Sequence, residues 1–239
     1  MDHDPLPGGR WHTTTAIKEL MLARGLKPGD PMPTESELVE TTGVSRSKLR
    51  EAVRTLTALD ILQVRHGTGT FVGQLSMRPL VEGMVFRGVL APGDDTTMLT
   101  QVVEVRTGLD LGLAPRIVER LAGRDDPELR ACVRAMADAA GRGESFSSED
   151  RTFHLTLAER LGNDLYGEIV AAFWDIHMTV APRLGLAGPR DLTDTALAHE
   201  RMLDAAIAGD IDAYRAAVVD HYTPILRMLG QHGPSPRDP

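Results

Sequence analysis

Residues 43–56 read Gly-Val-Ser-Arg-Ser-Lys-Leu-Arg-Glu-Ala-Val-Arg-Thr-Leu, and this stretch decides how the first part of the chain folds. Ser45 is a favourable helix N-cap, and the apolar residues after it recur at spacings of three, four and seven, as on a helix with one buried face. The predicted buried face consists of Leu49, Ala52, Val53 and Leu56. The opposite face carries Arg46, Lys48, Arg50 and Arg54. The sequence therefore predicts an amphipathic helix, basic on its outer side, from Arg46 to about Leu59.

The elements around this helix are short. A first helix is expected over Thr13–Arg24, with threonines as its N-caps. Thr34 followed by Glu37 forms a capping-box pattern, which predicts a second helix running to about Thr41, with Gly43 ending it. Two short strands, Ile61–Arg65 and Thr70–Val72, are predicted on either side of the turn His66-Gly67-Thr68-Gly69. Three helices followed by a hairpin indicate a winged helix-turn-helix.

Charge is distributed unevenly along the chain. The formal net charge is −8, yet residues 1–75 carry nine basic and nine acidic residues, so the whole acidic excess lies in residues 76–239. Residues 43–66 carry five basic residues against two acidic ones, a local positive charge suited to phosphate contact. A major groove admits one helix, so the third helix is the predicted DNA reader. The alternative for the arginine cluster alone is a solvated helix face.

About 60 of the first 75 residues resemble the DNA-binding domain of the GntR family of bacterial transcription regulators. The resemblance is carried by Pro33–Leu38, Gly43–Leu56 and His66–Val72. It implies that Arg46 and Arg50 contact operator DNA, and that the wing tip is formed by His66 with Gly67. It also implies three polar neighbours on the reading helix: Ser45, Ser47 and Lys48. Relatives often place a DNA-contacting arginine where this chain has Ser36, so their operator sequence does not carry over.

The second part of the chain is predicted to be entirely helical. After a linker at Gly73–Pro79, we expect two domains at residues 10–74 and 80–230, the second an antiparallel helical bundle. Predicted breaks include Pro92-Gly93 and Gly185–Pro189. The predicted helices are Leu80–Leu90, Thr97–Leu121, Pro127–Ala140, Ser147–Leu161, Asp164–Ala181, Leu192–Ile207 and Ile211–Leu229.

Four side chains in this bundle are placed to share a metal ion. Asp150 and His154 are four residues apart, so both project from one helix face. His199 lies ten residues before Gly209 and His221 twelve after it, so the two histidines should be level in a helical hairpin. Three imidazoles and one carboxylate suit one divalent ion per chain, zinc first, with nickel, manganese or iron as alternatives. The other interpretation is that each histidine is a separate core or surface residue.

The same segments resemble the FCD ligand-sensing domain of FadR-like GntR regulators. The matching stretches are Val103–Arg106, Phe153-His154, Leu161–Asn163, Ala198–Glu200, Gly209-Asp210 and Asp220–Tyr222. The resemblance implies that a metal and Arg106 together hold a small organic acid. A buried guanidinium also needs an anion on physical grounds. The alternative for Arg106 is a salt bridge to Glu104 or Asp110, and His177 is a further candidate for the cavity wall.

These features together predict a homodimeric regulator, expected to be a repressor, that binds a pseudo-palindromic operator and responds to a small carboxylic acid. The residues do not decide whether the acid releases or promotes DNA binding. A cytoplasmic location is expected, since the sequence has no long apolar run and no basic-then-apolar leader. The single Cys132 is expected to be a buried thiol. No enzymatic activity is expected. Two alternatives keep the same bundle: a purely structural metal and a metalloenzyme.

Overall fold

The computed structural model describes residues 9–90, 95–184 and 192–231, with side chains described from residue 13 to residue 230 of these ranges. The chain forms two compact units, residues 1–79 and 80–239. Two of the helix breaks predicted from the sequence, Pro92-Gly93 and Gly185–Pro189, lie outside the described residues.

The first unit contains three helices and a two-stranded antiparallel hairpin. Its elements are α1 (Gly9–Ala23), α2 (Glu35–Thr42), α3 (Arg46–Ala58), β1 (Leu62–Arg65) and β2 (Gly69–Val72). In the hairpin, Leu62 pairs with Val72 and Arg65 with Gly69. The segment before α2 joins the hairpin, because the Met32 amide donates to the Thr70 carbonyl at 2.9 Å. The winged helix-turn-helix prediction is confirmed.

Capping fixes where α2 and α3 begin. The Thr34 side chain accepts from the Glu37 amide, and the Glu37 carboxylate accepts from the Thr34 amide at 2.7 Å. Gly43 ends α2 with a φ of 67°, in the left-handed region that glycine adopts at little cost. Ser45 caps α3 by accepting from the Lys48 amide. Leu49, Ala52 and Leu56 are buried, as the helical spacing predicts.

Two predicted boundaries near the start of the chain are wrong. Helix α1 begins at Gly9, so Thr13 is not its N-cap but a buried residue within the helix. The predicted linker at Gly73–Pro79 is shorter, because the next helix already begins at Arg78. Threonine is a good N-cap but does not force a helix to begin there, and Pro79 is accommodated in the first turn of that next helix, where no amide hydrogen is needed.

The second unit is an antiparallel helical bundle, as predicted. A 3-10 turn, Ala181–Leu184, follows the fifth of its helices and is not anticipated by the sequence pattern. Pro115 lies inside the second helix and Pro224 inside the last. Its helices are α4 (Arg78–Leu90), α5 (Thr97–Leu121), α6 (Pro127–Gly141), α7 (Ser147–Leu161), α8 (Asp164–Val180), α9 (Leu192–Ala208) and α10 (Ile211–Gln231).

The bundle core draws buried residues from every helix from α5 to α10. Phe153, Met202 and Val218 are fully or almost fully buried there, and the predicted burial of Cys132 on α6 is confirmed. Gly209 has a φ of 76° and forms the tight turn between α9 and α10. This turn sets the two helices side by side, so that His199 and His221 are brought to the same level. None of the helices among the described residues is long and apolar enough to span a membrane.

Candidate nucleic-acid interface and candidate metal centre

The start of α3 presents an exposed polar and basic surface. Its members are Ser45, Arg46, Ser47, Lys48 and Arg50, and each of them is exposed. The Oγ of Ser45 accepts from the Lys48 amide at 3.4 Å, which leaves the hydroxyl proton available to an outside acceptor. Free amides and the positive end of the helix dipole meet the same surface. This arrangement suits contact with a phosphate backbone and adjacent base edges.

Arg50 does not extend freely into solvent. Its Nε donates to Glu35 Oε2 at 3.0 Å, and the side chains are 63% and 40% exposed respectively. The hydrogen bond with Arg50, helped by the charges of Arg50 and Arg46, lowers the pKa of Glu35 below its ordinary value. Helices α2 and α3 are thereby joined across their exposed side by one acid and one base.

The wing contains a third arginine that the sequence interpretation did not single out. His66 and Gly67 form the exposed turn, and Gly67 has a φ of 73°. Beside them, Arg65 donates through Nε to Gln63 Oε1 at 3.0 Å, and its guanidinium lies 4.1 Å from the centroid of the Phe71 ring. Stacking and hydrogen bonding fix the plane of this guanidinium. The sequence did carry a signal for this contact. Side chains alternate between the two faces of a strand, so Gln63 and Arg65 share one face of β1, and Phe71 lies opposite Gln63.

In the second unit, the four predicted metal ligands come together. Asp150, His154, His199 and His221 each offer one ligand atom, and these four atoms all lie within 4.8 Å of one another. Asp150 Oδ1 is 3.1 Å from His199 Nε2 and 3.3 Å from His154 Nε2. His154 Nε2 is 3.2 Å from His221 Nε2. Ligand atoms at about 2.0–2.2 Å from one tetrahedral ion are spaced about 3.3–3.6 Å apart, so these three distances lie within about 0.2 Å of the spacing around a single ion.

The hydrogen bonding of His199 gives an independent test of this fit. Its Nδ1 lies 2.8 Å from the Thr195 carbonyl, which can only accept, so Nδ1 carries a proton. In the neutral ring, Nε2 then has a lone pair directed at Asp150 Oδ1, which lies 3.1 Å away. Two electron-rich atoms at this distance repel each other unless a proton or a metal ion lies between them. The cluster is therefore able to hold a cation, with Thr195 in the outer position that orients a ligating histidine.

Burial prepares the imidazoles for ligation. Burial lowers the pKa of His154, and the nearby charge of Arg106 lowers it further. Burial together with His199 and His154 holds the pKa of His221 well below its usual range. Burial alone would raise the pKa of Asp150, but interactions with His199 and His154 outweigh it and keep the carboxyl ionised. Neutral imidazoles and an ionised carboxylate are the forms that bind metal.

Arg106 is buried beside this cluster and paired with Asp110. Arg106 Nε lies 3.0 Å from Asp110 Oδ1, so of the two salt bridges considered from the sequence the one to Asp110 is present. The hydroxyls of Tyr166 and Tyr222 donate to the two Asp110 oxygens, each at 2.6 Å. We call Arg106, Asp110, Tyr166 and Tyr222 the arginine hub. Burial alone would raise the pKa of Asp110, but the charge of Arg106 and the two tyrosine hydrogen bonds lower it.

Some buried polar atoms of the hub and of two histidines have no partner among the described residues. Arg106 Nη2, His177 Nδ1 and His221 Nδ1 are buried and have no hydrogen-bond partner among the described residues. Unpaired buried donors of this kind are costly unless something else supplies an acceptor. The sequence interpretation named Asp110 only as an alternative partner and missed Tyr166 and Tyr222 altogether. They lie 56 and 112 residues from Asp110, so no local spacing could have signalled their contact.

Comparison with known proteins agrees with this division of the chain. Residues 12–72 match the family model described as "Bacterial regulatory proteins, gntR family", and residues 101–223 match the FCD domain. LutR, an HTH-type transcriptional regulator of Bacillus subtilis, is 26% identical over 85% of this chain and 93% of its own. The galactonate operon transcriptional repressor of Escherichia coli is 24% identical over 84% of this chain and 88% of its own.

A solved structure extends the likeness to three dimensions. The Streptococcus agalactiae GntR structure is 29% identical and covers 91% of this chain and 99% of its own, with a TM-score of 0.64. The DNA-binding motif, the helical domain and the full-length relatives all point to a DNA-binding regulator rather than an enzyme. The chain belongs to the gntR family of bacterial transcriptional regulators, with an FCD ligand-sensing domain after its winged helix-turn-helix.

Proposed function

We propose that this regulator represses transcription as a homodimer on a pseudo-palindromic operator, and that a small carboxylic acid held by Arg106 and a divalent metal changes its operator affinity. One observation carries the effector half of the proposal. A cluster of three imidazoles and one carboxylate, buried except at His221, adjoins through Tyr222 a buried arginine, Arg106, whose Nη2 has no partner among the described residues.

Four residues would hold the metal: Asp150, His154, His199 and His221. When bound, a divalent ion supplies positive charge and coordination positions that accept oxygen ligands. The chain orients its ligands through the Thr195 carbonyl behind His199. Phe153 packs edge-on against the rings of His154 and His199, with centroids 5.6 and 5.1 Å away, and restricts their rotation. Zinc is our first expectation, because imidazole and carboxylate ligands in this number suit it.

Arg106 would bind the acid. Asp110 occupies Nε, so the guanidinium can meet a second carboxylate through its terminal nitrogens. Tyr166 and Tyr222 hold Asp110 in place, which in turn fixes Arg106. The arginine hub and the ligand cluster adjoin, because the Tyr222 ring lies 4.6 Å from the His221 ring, centroid to centroid, and the Tyr222 hydroxyl donates to Asp110. A carboxylate between the metal and Arg106 would satisfy both positive groups at once.

On DNA, the reading surface would be the start of α3 and the wing tip. Arg46 and Arg50 are proposed to reach base edges, while Ser45, Ser47 and Lys48 contact phosphates. His66 and Gly67 are proposed to lie against the backbone or the minor groove. Two such domains bind together only if their spacing matches about one turn of DNA, so a dimer converts a small rearrangement into a change in affinity. By linkage, operator binding must change acid affinity by the same factor.

The metal is tested by elemental analysis of protein purified without added metal. We expect about one divalent ion per chain in the wild type, and little in His199→Ala, which loses the most deeply buried ligand. His66→Ala removes an exposed histidine outside the cluster and should leave the metal content unchanged. Equal metal content in all three proteins would contradict the assignment.

The effector class is tested by a thermal-shift screen of mono-, di- and hydroxycarboxylic acids on metal-loaded protein. We expect at least one acid to raise the melting temperature of the wild type but not of Arg106→Met, which keeps most of the packing volume and loses the charge. Arg116→Met, on the exposed side of the same helix, is the matched control and should respond like the wild type. If chelation lowers the melting temperature while no acid raises it, the metal is purely structural.

DNA binding is tested by fluorescence anisotropy at a stated salt concentration. The probe is a duplex that the wild type enriches from a random 30-base-pair library. We expect Arg46→Ala and Arg50→Ala each to weaken binding by about 5- to 150-fold, and an active acid to change wild-type affinity. The absence of any enriched sequence would contradict operator recognition. Sedimentation equilibrium of the free protein tests the homodimer.

A further inference from the structure

The contact between Glu35 and Arg50 joins two helices on their exposed side. It spans fifteen residues of sequence, with Arg50 Nε 3.0 Å from Glu35 Oε2. Exposed ion pairs are seldom kept for stability, because solvent screens them and ordering two side chains costs entropy. An acid beside a DNA-reading arginine also carries an electrostatic cost, since it repels phosphate. Its presence at this place needs another reason.

The Glu35 side chain starts from a well-defined backbone position. Glu35 is the first residue of α2, directly after the N-cap Thr34 and its reciprocal capping box with Glu37. The positive end of the α2 dipole favours a carboxylate here. Arg50 lies on α3, one turn after Arg46, and its neighbour Leu49 is 1% exposed in the core that also holds Leu38 of α2. Both partners therefore project from rigid elements.

The atom that Glu35 engages decides what Arg50 can do. A guanidinium is planar and carries five N–H donors, one on Nε and four on the terminal nitrogens. With Nε bound to Glu35, the end-on pair of terminal nitrogens remains open, which is the edge that can meet O6 and N7 of a guanine. The acid also limits rotation of a long side chain, so less entropy is lost when Arg50 docks on a base.

We propose that Glu35 is a positioning residue for Arg50 that restricts it to one base pair in each operator half-site. The inference rests on the proposed role of Arg50 as a base-reading residue and adds to it the source of selectivity. Glu35 itself is not expected to touch DNA. The acid lowers the affinity of the protein for every DNA sequence and increases its preference for one base at one operator position.

If Glu35 only masked Arg50, removing Glu35 would have the opposite effect on affinity for the selected duplex. If Glu35 only covered Arg50 in the free protein, removing the acid would release the arginine and strengthen binding to all sequences. If Glu35 positions Arg50, removing the acid leaves binding to random DNA unchanged or slightly tighter and weakens binding to the selected duplex. The ratio of the two affinities distinguishes the roles.

The experiment is selection from a random 30-base-pair library with the full-length metal-loaded protein, followed by anisotropy on the enriched duplex and on its single-base variants. We compare the wild type with Glu35→Ala, Glu35→Gln, Arg50→Ala and the double variant Glu35→Ala/Arg50→Ala. Glu40→Ala is the matched control, because it removes an exposed acid from the same helix away from Arg50. Circular dichroism melts check that each variant is folded.

We expect Arg50→Ala to lose preference at one base pair per half-site by about 5- to 150-fold. Glu35→Ala should lose preference at that same base pair by roughly threefold to tenfold, within the range for coupled neighbours, and leave the other positions intact. Glu35→Gln keeps an acceptor and should fall between Glu35→Ala and the wild type. In the Arg50→Ala background, removing Glu35 should have no further effect on base preference.

The outcomes separate the inference from the function on which it rests. If the wild type enriches no sequence, operator recognition itself fails. If Arg50→Ala abolishes base preference at one base pair while Glu35→Ala abolishes it at none, Arg50 reads that base without Glu35, and only the inference is overturned. Loss spread equally over every position in Glu35→Ala, or the same loss in Glu40→Ala, also overturns it, because either result reflects a general effect on the domain.

Discussion

Two arginines of this protein are held in the same way in opposite surroundings. Arg50 and Arg106 each donate Nε to a carboxylate at 3.0 Å and leave terminal nitrogens for another partner. The Arg50 pair is largely exposed, whereas the side chains of Arg106 and Asp110 are 7% and 3% exposed. The same contact therefore has different consequences: in water it orients a side chain, and in the core it keeps a buried charge paired.

The surroundings also set how many partners each acid needs. Glu35 binds one arginine and otherwise faces solvent, while Asp110 accepts from Arg106 and two tyrosine hydroxyls. A buried carboxylate without these bonds would carry a large desolvation cost. The buried arrangement is thus rigid and tightly coupled, and the exposed one is adjustable. We therefore expect substitutions in the buried pair to reduce stability much more than substitutions in the exposed pair.

The largest effect should come from breaking the buried pair. Asp110→Asn leaves Arg106 charged in the core without its counter-ion, and we expect the second unit to lose about 3–5 kcal/mol of unfolding free energy. Urea unfolding followed by circular dichroism measures the loss. Glu104→Gln, an exposed acid on the same helix, should change stability little. A small loss in Asp110→Asn would mean that water already reaches Arg106.

Metal removal should act on the buried region alone. At a free metal concentration of about 1,000 times the dissociation constant, binding adds about 4 kcal/mol, so chelation should lower the melting temperature of the second unit by roughly 8–16 °C. Calorimetry with and without chelator measures the shift. In His199→Ala the chelator should have little effect. A matching shift in the transition of the DNA-binding unit would contradict a site confined to residues 150–221.

Acid pH should separate the two regions in the metal-free protein. His154 is 2% exposed and its folded pKa is lowered, so below about pH 6.5 the unfolded state binds more protons and gains stability. Between pH 7.5 and 5.5 we expect the second unit to lose about 1 kcal/mol for each histidine that stays neutral when folded. The Glu35 pKa is lowered from 4.5, so the exposed pair should not respond in this range. Urea midpoints that rise or stay level toward pH 5.5 would contradict the expected sign.

The smallest effect should come from the exposed pair. Glu35→Gln should lower the melting temperature of the DNA-binding unit by no more than about 4 °C, because an exposed ion pair adds only a few tenths of a kcal/mol to stability. Differential scanning calorimetry checks this expectation. A fall of more than about 8 °C would show that Glu35 supports the fold of the domain, and its effect on DNA would then have a structural origin.

Most of the architecture is predictable from sequence because its signals are local. The capping box at Thr34, the N-cap at Ser45 and the glycine at 209 mark helix ends directly, and the bounds of α5 and α7 agree with prediction to the residue. The error at α1 has the same origin: threonine is a good N-cap, but it does not force a helix to begin there. The N-cap preference of Thr13 is therefore outweighed by the hydrogen bonding of α1, which extends back to Gly9.

The placement of the four ligand residues can likewise be predicted from spacing within single helices and around one turn. Asp150 and His154 are one turn apart and so share one helix face, and His199 and His221 lie at similar distances from one turn and so reach a common height. The arginine hub has no such pattern, because Tyr166 and Asp110 meet only after three helices have packed. For the same reason, the pairing of Glu35 with Arg50 depends on how α2 crosses α3.

The two internal prolines have a consequence for how this bundle deforms. Pro115 stands five residues after Asp110, and Pro224 two residues after Tyr222. Neither proline has an amide hydrogen to donate, so α5 and α10 each lack one rung of their backbone ladder close to the hub. Helices yield most readily where a rung is missing. If a ligand displaces Arg106 or His221, we therefore expect α5 and α10 to bend most easily at these prolines, which lie within about two and a half turns of the displaced residue.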